Sequence, residues 1–537
     1  MTAGDDPVEG DIAPEGPTLD PDSEQSDFVE YGIDDKPPLG ESVLLGFQHY
    51  LTMIGATVAI PLALAGALGM FEAAPGQVGR LIGTFFVVSG IATLAQTTIG
   101  NRYPIVQGGT FSMLAPALAI IGVLSTQGVG WQGMLQHLMG AVIVAGLVEV
   151  LIGYFGVMGA LKRYMSPIVI APTIALIGLA LFSAPQITDP NLSAPGTGQN
   201  WWLVGLTLVL IVAFSQYLDT YNRAFRLFPV LLGISTAWII AAVLSVAGVY
   251  ASGSVSYVDL SSVASASLIQ PIYPFQWGMP DFRLSFIIGM VAGMLASAIE
   301  SFGDYHSVAR MAGRGAPSKK RIDHGIGMEG LGNAFAGIMG TGNGSTSYTE
   351  NVGAIGITGV ASRHVVQIGA VVMVVAGYVG YVGQLFATIP EPIVGGLYLA
   401  MFGQIVAVGL SQLQFVDLDS NRNVFIVGFA LFAGLAIPGY MGAVGGADAF
   451  QQGMSNVAVL GPILGSELVS TTLFVIGGTG MAVGGIVAFF LDNTIDGTRE
   501  ERGLVAMKEM SEDDSDFQSF WDRFGGSEPE EPAPRAD

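Results

Sequence analysis

The chain has 537 residues, 51% of them hydrophobic and only 12% charged, with 75 Gly, no Cys and a net charge of −23. Soluble domains carry about a quarter charged residues, so this composition excludes a soluble enzyme, and the sign of the charge excludes a typical nucleic-acid binder. The lack of Cys excludes thiol catalysis, disulfide stapling and Cys-ligated metal, and a mean hydropathy of +0.57 points to a multi-pass protein of the lipid bilayer.

The charge is concentrated at the ends. Residues 1–41 hold 13 acids and one Lys, residues 492–537 hold 14 acids and 5 bases, and residues 42–491 keep 16 acids and 14 bases. Low hydrophobicity, like charge and frequent Pro cannot bury enough surface to fold. Both ends read as disordered cytoplasmic tails. No basic-led apolar segment with a cleavage site precedes the first span, so no signal peptide is expected. Only 5 of the 20 bases are Lys, which with acidic tails suggests adaptation to high salt.

A membrane helix needs about 20 mostly apolar residues. In chain order the candidates are 43–66, 80–99, 110–123, 136–156, 166–183, 202–218 and 227–249, then 284–306, 325–340, 351–361, 364–387, 392–411, 422–438 and 467–491. With the N-terminus inside, twelve Lys/Arg fall in inside loops and only Arg80 and Arg283 outside. That positive-inside bias supports fourteen spans with both termini cytoplasmic. The two short candidates are third and tenth, seven places apart. An odd repeat inverts its second copy, so the chain reads as two inverted seven-span repeats. Each carries an interrupted half-helix, the best sequence pointer to a transporter site.

The first break reads YPIVQGGTFSMLAP (103–116) and the second GTGNGSTSYTENVGAIGITG (340–359). Irregular backbone at membrane depth is tolerated only inside protein or beside a watery cavity. Its free N–H groups at a helix start then act as donors. Two such starts meeting would line a midplane pocket with donors. Phe111, directly after Gly108-Gly109-Thr110, is placed to stack on a planar ring.

Charges inside spans require a reason. Glu300 and Asp304 share one helix face at i, i+4, where two like charges do not both ionise cheaply. This is the expected chemistry of a proton-carrying site. Glu350 opens the second half-helix. His49 in the first span is a candidate proton shuttle. Glu149 and Glu329 read as structural. There is no phosphate-binding loop to suggest ATP drive, no metal site and no cofactor.

These motifs identify the chain as resembling the nucleobase–ascorbate transporters, also called nucleobase–cation symporters or xanthine/uracil permeases. The resemblance spans about residues 40–492. It rests on the signature Glu350, Asn351, Gly353 and Thr358, on Gln48-His49, on the Gln107–Phe111 break and on Glu300 with Asp304. It implies an all-α polytopic fold of core and gate, with an elevator-like motion between them. Core parts are 42–160 and 282–388, gate parts 161–250 and 389–491, with an extracellular loop at 251–281. A homodimer through the gate and a plasma-membrane location are also implied. Glu300 and Glu350 would bind the base, with Phe111, Thr110 and Asn351 beside it. Glu300, Asp304 and His49 would serve proton coupling. Glu350 goes with nucleobases, whereas vertebrate ascorbate carriers have Pro there. Gly359 departs from the family, which often has Arg or Lys after the signature Thr.

The expected function is proton-coupled uptake of xanthine, urate or uracil. The alternatives are Na⁺ coupling on the same fold, an inorganic-anion or other small-solute carrier, and a channel or receptor. An anion carrier would need a base at the junction of the two breaks, and none is present.

Overall fold

The computed structural model describes residues 29–158, 164–182, 184–188 and 200–504, with Phe517 and Ser519. Most of both expected tails lies outside these residues. Helices of ten or more residues are numbered here. In the first half they are α1 (Leu39–Ala67), α2 (Pro75–Thr98), α3 (Phe111–Thr126), α4 (Trp131–Tyr154), α5 (Pro167–Ala180), α6 (Trp201–Val212) and α7 (Pro229–Val246). The second half has α8 (Leu284–Met311), α9 (Lys319–Met339), α10 (Thr349–Thr358), α11 (Arg363–Tyr378), α12 (Glu391–Ser411), α13 (Asn421–Ala443), α14 (Glu467–Gly477) and α15 (Gly480–Thr494).

Local chemistry sets the ends. Pro opens α2, α5 and α7, where its missing N–H costs nothing. Ser318 and Ser362 cap α9 and α11 by accepting from Arg321 N and Val365 N, as N-cap hydroxyls do. Among the described residues, seven helices are long and apolar enough to cross a membrane: α1, α2, α4, α7, α8, α12 and α13. Large apolar side chains such as Leu147, Val243, Phe432 and Phe490 point outward. A surface of that kind belongs in lipid.

Two expected spans differ. The span expected over 467–491 is the bent pair α14 and α15, turned by 91° at a short break. Gly477, Gly478 and Gly480 supply the break. The span expected over 364–387 stops at Tyr378 and resumes as a short helix, Gly380–Ala387, because Val379 is extended.

Glycine sets the tightest seams. α4 packs along α9 and α2 along α11. A Cβ on Gly146 would lie 2.4 Å from Ala334 N, and one on Gly153 would lie 2.2 Å from Gly327 N. On the other seam, Gly83 and Gly377 would each meet the other's carbonyl oxygen, at 2.5 and 2.6 Å. Contacts that close exclude any side chain, which is one use of the high Gly content. α5 packs along α12, α8 packs on α4, and α1 packs on α11.

Residues 29–38, part of the expected acidic tail, are laid down on the helices. Tyr31 bridges in parallel to Val360, and Ile33 is buried.

Candidate functional site

The two interrupted helices meet through a pair of short strands. β1 (Gln107–Gly108) runs antiparallel to β2 (Thr346–Ser347), with Gln107 opposite Ser347 and Gly108 opposite Thr346. Extended backbone inside a membrane protein must find partners for its N–H and C=O groups. Each break supplies partners for the other, and side chains supply the rest. Gln107 O accepts from Ser89 Oγ, and Gln107 N donates to Thr93 Oγ1 at 2.9 Å. Asn351 Oδ1 accepts from Val106 N at 3.0 Å, and its Nδ2 donates to Pro104 O at 3.1 Å. Asn343 does the same at the far end of the break, accepting from Thr110 N at 2.8 Å and donating to Thr110 O at 3.1 Å.

Gly108 is required by close approach. A Cβ there would lie 2.7 Å from the Tyr348 ring, and Tyr348 is held in place by its hydroxyl, which donates to Gly109 O at 2.9 Å.

A cavity of about 370 Å³ opens at this junction. Phe111, Glu300, Thr346 and Tyr348 line one side. Ile174 of α5 and Gln404, Ile405 and Val408 of α12 line the other. Phe111 meets Phe402 edge-on at 5.6 Å, and Phe402 stacks on Tyr398 at 5.0 Å. This aromatic ladder fixes the Phe111 ring at the cavity wall. Glu300 accepts from Ser112 Oγ at 3.0 Å. The chamber thus offers a carboxylate, hydroxyls, an amide and aromatic faces, a set suited to a small polar ring.

Asp304 faces elsewhere. It is buried and accepts from Ser347 Oγ at 2.7 Å. Ser347 Oγ lies 2.9 Å from Ser301 Oγ, which donates to Glu329 Oε1 at 2.7 Å. Tyr305 donates to Glu329 Oε2 at 3.0 Å. Two serines therefore connect Asp304 to Glu329, a residue read from sequence as structural. The signal was available: a carboxylate in a membrane interior is costly without a partner or a task. Glu149 accepts from Asn333 Nδ2 at 2.5 Å, and Asn333 Oδ1 accepts from Ser345 N, next to β2. Gln404 is a further lining residue that no motif had pointed to.

The other expected site residues fall around this centre. Thr110 caps α3, its hydroxyl accepting from Ser112 N at 3.2 Å. Neither it nor Asn351 lines the cavity. Glu350 is the second residue of α10, after Thr349, while its side chain lies outside the described residues. His49 is buried on α1 away from the lining, and neither ring nitrogen has a hydrogen-bond partner among the described residues. Gly359 caps α10 in the left-handed region, with φ of 70°. A basic side chain at that backbone position would be strained. Among the described residues no cluster of three or more His, Asp or Glu is placed to hold a metal ion.

Comparison with known proteins agrees. A model of a permease family, the xanthine/uracil permease type, matches residues 40–442. Mouse solute carrier family 23 member 2 is 40% identical over 531 residues, covering 91% of this chain and 78% of its own. Nucleobase-ascorbate transporter 1 of Arabidopsis thaliana is 35% identical over 504 residues, covering 90% of this chain and 93% of its own. Among solved structures, the transmembrane domain of the cyanobacterial bicarbonate transporter BicA is similar at 18% identity. It covers 84% of this chain and 100% of that one with a TM-score of 0.49. The relatives are carriers, and this chain is a multi-pass membrane transporter rather than an enzyme. It belongs to the xanthine/uracil permease family, the nucleobase–ascorbate transporters.

Proposed function

We propose that the protein takes up a nucleobase, xanthine, urate or uracil, by proton symport. The observation that carries this is the cavity that Glu300 and Phe111 both line at the meeting of two interrupted helices. Uracil and xanthine are planar, neutral and imide-bearing. Their N–H groups suit the Glu300 and Glu350 carboxylates. Their carbonyls suit the N–H donors at the starts of α3 and α10. Their faces suit Phe111. Thr110 and Asn351 act by holding the two starts in place.

An ionised Glu300 in an empty membrane site is costly. A proton or a base relieves that cost, which couples the two. Asp304 and the serine path to Glu329 extend the proton-holding region, with His49 as an outlying shuttle. Na⁺ in place of H⁺ is the second reading, favoured by the oxygen-rich surroundings of Asp304. Glu350 at the head of the signature favours a base over ascorbate.

The architecture we propose is fourteen spans in two inverted repeats. Seven helices and the bent pair α14–α15 cross by length, and α3, α5, α6, α9, α10 and α11 complete the set. The packing supports the repeat. Moved seven places along the chain, the seam α2–α11 becomes α9–α4, and α1–α11 becomes α8–α4. α1–α4 with α8–α11 would form the substrate-holding core. The remaining helices would form the gate, the dimer contact and the rail for an elevator-type motion in the plasma membrane, with both termini cytoplasmic.

The test is uptake of labelled xanthine into proteoliposomes under an imposed pH gradient, with unlabelled uracil as competitor. Concentrative uptake that collapses with a protonophore supports a proton symporter, and resistance to uracil makes it a purine carrier. Uptake driven only by a Na⁺ gradient would replace the proton, and no uptake of either base under either gradient would overturn the substrate assignment.

A further inference from the structure

We infer that the N-terminal segment 29–36 is a working part of the binding site, and that Asp34 is its positioning residue. The inference rests on the transport reading above, but the structural half of its test does not.

The segment adds itself to the chain just after α10. Glu30 N donates to Gly359 O at 2.9 Å, Ala361 N to Tyr31 O at 2.8 Å, and Arg363 N to Ile33 O at 3.0 Å. Ser362 Oγ donates to Asp35 O at 2.6 Å. These bonds give the buried backbone after the half-helix the partners that its N–H and C=O groups need. Ile33 enters an apolar cluster with Val352 and Ile355 of α10, Tyr103 and Ile105 of the first break, and Phe302 of α8. One side chain therefore meets a single cluster drawn from both breaks and from the helix that carries Glu300 and Asp304.

Asp34 ties the breaks together by charge. Its Oδ1 accepts from Arg363 Nε at 2.6 Å and lies 3.5 Å from Arg102 Nη2. Arg363 follows the second break and Arg102 precedes the first. Arg102 has a φ of 59°, a left-handed conformation that non-glycine residues adopt rarely and at a cost. A residue held there needs surrounding structure to fix it. Its fixings include the bond from its N to Gln96 O at 3.1 Å and the Asp34 carboxylate. Both arginines are largely covered, with side chains 9% and 12% exposed. Asp34 thus spans, with one carboxylate, the ends of the two segments whose pairing shapes the cavity. Loosening it lets the starts of α3 and α10 drift relative to each other, and with them Phe111 and the signature residues.

The experiment compares the full chain with Asp34→Asn, which keeps shape and removes charge, with Asp34→Glu, and with Glu30→Gln as an exposed charge-matched control. Two readouts are taken. Backbone hydrogen exchange, without any substrate, is expected to rise over residues 100–110 and 344–360 in Asp34→Asn and not in Glu30→Gln. The half-saturation concentration for xanthine uptake is expected to rise about twofold to fivefold at an unchanged amount in the membrane, the order set by loss of an ion pair whose carboxylate is 57% exposed, with partial recovery in Asp34→Glu. Unchanged exchange in both breaks would overturn the inference, whatever the substrate proves to be. Raised exchange with unchanged half-saturation would overturn the functional half alone. If the full chain takes up no xanthine, the transport reading has failed, and the exchange result still decides the role of Asp34.

Discussion

The two interrupted helices use one backbone device with different chemistry around it. Both reach their helix through a two-residue strand, and the strands pair with each other. The first break is clamped from outside itself, by Asn343 and Asn351 of the second. It then presents an aromatic ring and a hydroxyl, Phe111 and Ser112. The second break supplies those clamps, carries a carboxylate residue, Glu350, in the first turn of its helix, and is held after its helix by the N-terminal segment. The first start is thus a passive wall whose position is dictated, and the second is the frame that dictates it. Changes in the second break should therefore disturb the site more widely than changes in the first.

The largest effect expected comes from neither break but from the carboxylate between them. Glu300→Gln should abolish concentrative uptake, a loss of about 100-fold from removing a charged acceptor, while insertion stays normal. Uptake assays alongside a membrane-fraction immunoblot would show this. Normal accumulation by that variant would remove Glu300 from the mechanism.

Next comes the frame. Asn351→Ala leaves Val106 N buried without its acceptor, at about 1–3 kcal/mol. Lower thermal stability together with a raised half-saturation is the expected outcome, since both segments lose their register. Asn351→Asp, which retains an acceptor for Val106 N, should recover part of the stability in a detergent melting assay.

Phe111→Ala tests the wall. Ring packing of this kind is worth about 0.5–1.5 kcal/mol, so affinity should fall about threefold to tenfold, and because the ring is buried in the core thermal stability should fall with it. Equilibrium binding to the purified protein would measure it. A larger loss than for Asn351→Ala would invert the comparison between wall and frame.

The smallest effect concerns pH at the strap. Partial burial pushes the Asp34 carboxyl up, but its bond to Arg363 and the charges of Arg363, Arg102 and His364 outweigh this and hold it below the usual aspartate value. A carboxyl held low in the folded state contributes stability above its unfolded pKa of about 3.9 and loses it as pH falls through the lower folded value. The strap should therefore stay docked at neutral pH and release only in strong acid. Proteolysis of residues 29–38 followed against pH would report that release, and Asp34→Asn should abolish the dependence.

Much of this was legible in the sequence because membrane burial writes itself in composition. The short candidates 110–123 and 351–361 lie over α3 and α10 within a few residues, since Gly-rich breaks interrupt an apolar run visibly. Glu300 and Phe111 stood out as a carboxylate in a span and an aromatic at a break, and both line the cavity. What stayed hidden depends on partners distant in sequence. Glu329 gains its place from Ser301 and Tyr305 on another helix. Asn343 gains its place from Thr110, 233 residues away. Asp34 looked like one more acid in an acidic tail, because only the fold brings Arg102 and Arg363 beside it. The bend between α14 and α15 was missed because hydropathy averages across a Gly-rich break that geometry does not ignore.

The central claim is that a planar base docks its N–H edge on the Glu300 carboxylate at the junction of the two breaks. Calorimetric titration of the purified protein with xanthine, and with the same ring methylated at every N–H, tests it most directly. Saturable binding of xanthine and none of the methylated ring is the expected result. Equal binding of both would contradict it, because a site that reads the ring without its N–H groups does not use Glu300 as an acceptor.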